Sequence, residues 1–210
     1  MTTFRTGETP PAWCELTGFE PLELGRDQAV TRTPETARER LIGTAGTVQV
    51  RQGGRSMLLK PAQFLDIEPG AGPYTVVGHS DPAGVVRLCG HWGEELGGCG
   101  LFAVTRTDAP ETKGDPVSYP KHTAIDSHYH DCDEYWIVLQ GSGEAVVGGR
   151  HDRLQPGDCL CIGMGHHHDF PLIDSEVKAV FFETTLEGRK RTGHLWEHTH
   201  GKATPQPERV

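Results

Sequence analysis

The chain has 210 residues, enough for one medium domain or two small ones with a real core. Hydrophobic residues make up 35% and charged residues 23%, a balance that argues against a disordered chain. The net charge of −9, with no basic stripe, argues against nucleic acid or an anionic membrane as partner.

The opening stretch MTTFRTGETPPAW has no apolar run of the kind a secretory signal needs. No later run approaches the roughly 18 apolar residues of a membrane span. The expectation is a cytoplasmic protein whose six cysteines are reduced thiols. Twenty-seven glycines and 15 prolines lie scattered between short apolar runs, which favours many short strands over long helices.

The first segment with helical composition is PETARERL, Pro34–Leu41, but an internal repeat argues for a strand there. Glu39–Gly70 aligns without a gap on Glu134–Gly165, an offset of 134 − 39 = 95. Eleven of 32 positions are identical, among them Gly53, Gly54, Arg55, Leu59 and Pro61. Chance would give roughly two. Each copy reads as the same series: an apolar run ending at glycine, a short strand (TVQV or EAVV), a GGR hairpin, a Leu-x-Pro turn and a third strand (FLDI or CLCI). AGVVRL and KAVFFE then supply a further strand in each copy. Alternation in CLCI puts Cys159 and Cys161 on one face, as small buried hydrophobes. GGCG, Gly97–Gly100, is expected as a turn between strands. The expected linker is Asp108–Pro116, dividing the chain into 1–107 and 108–210.

The chemistry gathers in the second copy. His128 and His130 are two apart, so on a strand both imidazoles share a face, and Glu134 has the same parity. HHHDF, His166–Phe170, follows the turn after CLCI. Three imidazoles and a carboxylate form a borderline N/O ligand set for a divalent transition metal. His122, His151 and His167, and the tail residues His194, His198 and His200, are expected in solvent.

His-x-His-x3-Glu-x6-Gly, here His128, His130, Glu134 and Gly141, resembles the first motif of the cupin superfamily. Its second motif is similar to the stretch Gly157, Gly165 and His168, with Gly163 in place of a proline and Leu172 in place of an asparagine. The resemblance places the last ligand on His168, with His166, of the same parity, as the alternative. It implies an all-β fold of two tandem cupin-type jelly-roll barrels, a bicupin, and a homodimer. It also implies one divalent metal ion (iron, manganese, nickel or zinc) in the second barrel. In the first copy the ligand positions fall on Thr33, Glu35, Glu39 and Pro73, so that barrel is expected to lack metal.

Continuing the Glu134 parity, Trp136 and Val138 should face inward, and Phe170 should follow His168; together they would wall a small-molecule pocket. Glu183 ends an inward apolar face shared by Val177, Ala179 and Phe181. It is read either as a general base with raised pKa or as a solvated rim residue. Tyr129, Tyr135 and Asp169 flank the motifs without a clear path to the metal. No GxSxG elbow or phosphate-binding loop is present. The expected function is isomerisation, epimerisation or lysis of a small hydroxy-carbonyl compound. The alternatives are an iron-dependent dioxygenase of an aromatic or enolic substrate and a non-catalytic metal-dependent binding protein.

Overall fold

The computed structural model describes residues 3–109 and 113–210, so part of the expected linker, residues 110–112, lies outside the described residues. Strands form where the repeat places them, and the glycine pairs turn them. Gly53 and Gly54 have φ of +55° and +78°, and Gly148 and Gly149 have +56° and +82°, a backbone region that costs glycine little. These pairs join β5 (Val48–Gln52) to β6 (Arg55–Leu59) and β11 (Glu134–Val147) to β12 (Arg150–Leu154).

The remaining strands of the first half are β1 (Thr3–Arg5), β2 (Leu16–Leu24), β3 (Ala29–Arg32), β4 (Arg38–Ala45), β7 (Phe64–Ile67), β8 (Tyr74–Gly78) and β9 (Ala83–Gly90). The second half adds β10 (Leu96–Val104), β13 (Asp158–Ile162), β14 (His168–Thr185) and one short helix, α1 (Glu197–His200). Most of PETARERL thus leads into or belongs to strand β4. The GGCG stretch lies inside β10 rather than in a turn. Its glycines are there for close packing: a Cβ at Gly97 would come 2.4 Å from the Glu183 carboxylate, and one at Gly100 would come 2.9 Å from the Phe181 ring.

The strands form antiparallel sheets ordered β2-β9-β4-β7, β3-β8-β5-β6 and β1-β13-β11-β14-β10, with β12 paired to β11. Among the described residues no sheet closes on itself; the all-β fold is built from open sheets. Two strands cross the expected boundary at residue 107, since β1 pairs with β13 and β10 pairs with β14. The halves meet across an apolar junction containing Phe19, Ile42, Leu88, Tyr135, Ile137 and Phe182. Cys159 and Cys161 are buried in this junction, and all six cysteines are free thiols. Separate apolar interiors lie within each half.

The repeat is visible in the ladders. Glu39 lies opposite Ile67, and Glu134 lies opposite Ile162, each pair 95 residues from its counterpart. Elsewhere the registers slip. A shift between Glu144 and Val146 places His168 opposite Val147, whereas Tyr74 lies opposite Gln52. Likewise His128 bridges His168 as Arg32 pairs with Tyr74. The spatial counterparts of His128 and His168 are therefore Arg32 and Tyr74, not Thr33 and Pro73. Gap-free counting cannot detect a slip of one residue.

At the first-half position Glu39 meets a guanidinium. Arg87 donates to it from Nε at 3.1 Å and from Nη2 at 2.7 Å; the Tyr74 hydroxyl donates at 3.0 Å and the Glu35 amide at 2.8 Å. Burial raises the pKa of the Glu39 carboxyl, but the Arg87 bonds override that and hold it below its ordinary value. Removing one member of a buried ion pair strands the other charge. Arg87→Met is expected to destabilise the protein by about 3–5 kcal/mol, whereas Arg87→Met combined with Glu39→Leu should recover part of that loss. Urea unfolding of the two variants checks this, and equal losses would show that the pair is not coupled.

Candidate metal centre

Residues 126–133 lead into β11, held by the bridges His128 to His168 and Tyr129 to Leu195 and bending at Asp131 and Cys132. Alternation along that segment sends His128, His130 and, at the start of β11, Glu134 to one side. The start of β14 brings in His168 from the neighbouring strand. All four side chains are buried, and one ligand atom from each lies within 4.8 Å of the others. Glu134 Oε2 is 3.1 Å from His130 Nε2 and 2.9 Å from His168 Nε2.

Each imidazole is oriented by a backbone carbonyl. Nδ1 of His128 faces the Asp126 carbonyl at 2.8 Å, that of His130 faces Gly193 at 2.9 Å, and that of His168 faces His166 at 3.0 Å. A carbonyl only accepts, so each Nδ1 carries a proton, and each ring when neutral presents its Nε2 lone pair inward. The other Glu134 oxygen accepts from Trp136 Nε1 at 2.7 Å. What remains is anomalous for a protein interior: His130 Nε2, Glu134 Oε2 and His168 Nε2 are buried without a hydrogen-bond partner. Three such atoms converging on one point, with a further imidazole beside them, fit a divalent transition metal in donor type and direction.

The electrostatics agree. Burial, and then the neighbouring imidazoles, push His128 well below its ordinary pKa; burial likewise lowers His168. Burial also acts to lower His130, but the Glu134 charge prevails and raises it to about 9. Glu134 is held well below the carboxylate range because His130 and His168 outweigh the cost of burying it. Without metal, the site carries its positive charge as a proton on His130.

The other expected site residues divide. Trp136 and Phe170 stack at 6.0 Å, and Trp136 meets the His168 ring at 5.4 Å, so these aromatics wall the centre. Val138 belongs to the same interior but also lines a cleft of about 840 Å³ between the halves, which His128, His130, Glu134 and His168 do not line. Glu183 lies directly across the ladder from Glu134, and its Oε1 is 3.8 Å from His130 Nε2. It is buried, not solvated at a rim, and burial followed by the Glu134 charge raises its pKa. His166 turns away and bonds through Nε2 to the Gln206 carbonyl. Tyr135 points into the junction, where its hydroxyl accepts from the Glu15 amide. Asp169 is held by Lys121 and Tyr119, and Tyr129 donates to the Gly201 carbonyl.

The tail histidines His194 and His198 are exposed, as expected, but the tail backbone lies against the segment bearing His128 and His130. His194 stacks on His128 with ring centres 4.0 Å apart and planes within 3°. No local pattern announces this, because the partners are some 60 residues apart in sequence.

The Cupin domain family matches residues 117–185. The uncharacterized protein y4oW of Sinorhizobium fredii (strain NBRC 101917 / NGR234) is 50% identical over 210 residues, covering 100% of this chain and 97% of that one. Among solved structures, an IolB-like protein from Salmonella typhimurium is 15% identical, with a TM-score of 0.56 over 95% of this chain and 98% of its own. Bacillus subtilis oxalate decarboxylase is 10% identical, with a TM-score of 0.51 over 89% of this chain and 76% of its own.

Because His130 holds a proton near neutral pH, loading the site requires that proton to leave. Metal binding should release about one proton between about pH 6 and 8, and affinity should tighten as pH rises toward the His130 value. Calorimetry in buffers of different ionisation enthalpy measures the proton directly. Binding with no proton release would mean that His130 is already neutral.

Proposed function

Because the chain belongs to the cupin superfamily, we propose that His128, His130, Glu134 and His168 hold one divalent transition metal ion in a metalloenzyme. Its reaction is isomerisation, epimerisation or lyase-type cleavage of a small hydroxy-carbonyl compound, such as a sugar, sugar acid or hydroxy acid. The bound ion would supply Lewis acidity, polarising a substrate carbonyl and favouring charge on its oxygen. Everything else falls to the chain's own groups.

The observation that carries this reading over a dioxygenase is Glu183. A second buried carboxylate directly across from Glu134, with a raised pKa, is poised to move a proton rather than to bind a cation. In an isomerisation Glu183 takes the proton from the hydroxyl-bearing carbon next to the carbonyl and returns it to the former carbonyl carbon, while the hydroxyl proton passes to the carbonyl oxygen, so no oxidant is needed. Trp136 and Phe170 keep water from the charged intermediate stage and give the substrate an apolar wall. Manganese, named for the oxalate decarboxylase, is the first ion to try.

In this reading the chain is a bicupin whose first unit is degenerate, with the Arg87 guanidinium where the second unit takes a metal. It works in the cytoplasm as a homodimer. Its half-exposed Met57, Leu58 and Phe64 offer apolar side chains for such a contact.

Incubation in D2O with a panel of small hydroxy-carbonyl compounds, read by NMR, tests the proton transfer without knowledge of the product. The metal-loaded protein should exchange a carbon-bound hydrogen in at least one compound. Glu183→Gln should keep the metal and lower exchange by about 10²- to 10⁴-fold, while His128→Ala or His130→Ala should lose the metal with the fold retained. Dioxygen consumption by iron-loaded protein, with no exchange in any compound, would replace this reading with the dioxygenase.

A further inference from the structure

The ligand segment 126–133 owes its shape to a partner distant in sequence. Residues 191–196 run antiparallel to it, with the Tyr129 amide donating to the Leu195 carbonyl at 3.0 Å and the Leu195 amide returning a bond at 3.1 Å. Leu195 and Ala203 pack with Tyr129 as a small apolar cluster of their own. Around this seam the tail grips the acidic residues of the segment. Trp196 Nε1 donates to Asp126 at 2.7 Å, Arg191 Nε donates to Asp131 at 2.8 Å, and Arg209 Nη1 donates to both oxygens of Asp133 at 3.0 Å. Asp133 is fully buried, and it also accepts from the Met164 amide at 2.7 Å, which ties the seam to the turn before His168. The tail's Gly193 carbonyl is the group that orients His130.

The geometry points to the tail as a strap that positions the metal ligands: the Gly193 carbonyl fixes the His130 tautomer, and Arg191 and Arg209 fix the backbone between His130 and Glu134. The strap acts through the ligands and does not touch the metal, so it is a positioning element. This rests on the metal-centre reading above. Partners of this kind on a ligand's outer nitrogen contribute about 10- to 100-fold in metal affinity. The strap's own fixed point is Gly193, whose φ of +85° aims its carbonyl at His130. A Cβ placed there would meet nothing within 4 Å, so a substitution acts through the backbone dihedral alone. Valine resists that dihedral, whereas asparagine tolerates it.

The test is titration of full-length metal-free protein with Mn2+, followed by calorimetry and by the electron paramagnetic resonance spectrum of the bound ion. Gly193→Val should bind Mn2+ about 10- to 100-fold more weakly than the parent, with an altered spectrum. The melting temperature of its metal-free form should stay close to the parent's. Gly193→Asn should restore affinity and spectrum. Arg191→Met, which leaves the backbone free to form, should weaken binding in the same direction and carries the test if Gly193→Val does not fold. Parent-like affinity in both Gly193→Val and Arg191→Met would overturn the strap while leaving the metal centre in place. A parent that binds none of Mn2+, Fe2+, Ni2+ or Zn2+ would overturn both.

Discussion

A carboxylate buried at the start of a central strand must meet positive charge, and both halves of this chain are arranged around that requirement. Glu39 and Glu134 occupy the same ladder position 95 residues apart, each opposite an isoleucine. In the first half the charge is met from within, by Arg87, with Tyr74 and the Glu35 amide completing the oxygens' bonds. In the second half the chain supplies imidazoles whose lone pairs point at the same place as the carboxylate, and three of the four atoms find no partner. Desolvating that many acceptors costs several kcal/mol unless a cation or proton joins them. The raised pKa of His130 is the metal-free protein's partial answer.

The two solutions differ in what they permit. A guanidinium brings its own side chain and meets the Glu39 carboxylate directly. A metal ion leaves coordination positions free and takes up no side-chain volume. The halves share a backbone plan but not a charge solution. The first half contributes the junction surface, with Phe19 against Phe4 and Trp92 against Phe182, on which the second half's sheet is stiffened.

Much of the scaffold was legible because it is local. The GGR hairpins, the Leu-x-Pro turns and the alternation in CLCI each depend on a few neighbouring residues, and the repeat states them twice. The convergence of His128, His130 and Glu134 was legible for a similar reason, since their short spacing before and at the start of β11 brings them together. His168 needed the longer motif, because nothing local separates it from His166; only the opposite turning of His166 toward Gln206 does so. What could not be read was whatever depends on register or on distant pairing. The slip near Val146 moved the first-half counterparts by one residue. The tail's grip on Asp131 and Asp133 joins residues 191 − 131 = 60 and 209 − 133 = 76 positions apart. Gly97 and Gly100 read as a turn because the residues that force them to be small, Glu183 and Phe181, lie on another strand.

Glu183 shows why that last class matters for function. A glutamate at the end of an apolar run is ambiguous in sequence, since strand ends face either water or the interior with equal ease. Its placement is decided by β10, whose glycines allow that strand to close over the carboxylate. Replace Gly97 with any residue bearing a Cβ and the carboxylate must move, for the atoms would lie 2.4 Å apart. Burial is what raises the Glu183 pKa, and burial is set by an absent side chain on a strand that the repeat does not include. The Glu183 carboxyl beside His130 and Glu134 therefore has its pKa raised by packing. Its chemistry is a property of the sheet's close approach as much as of the residue itself.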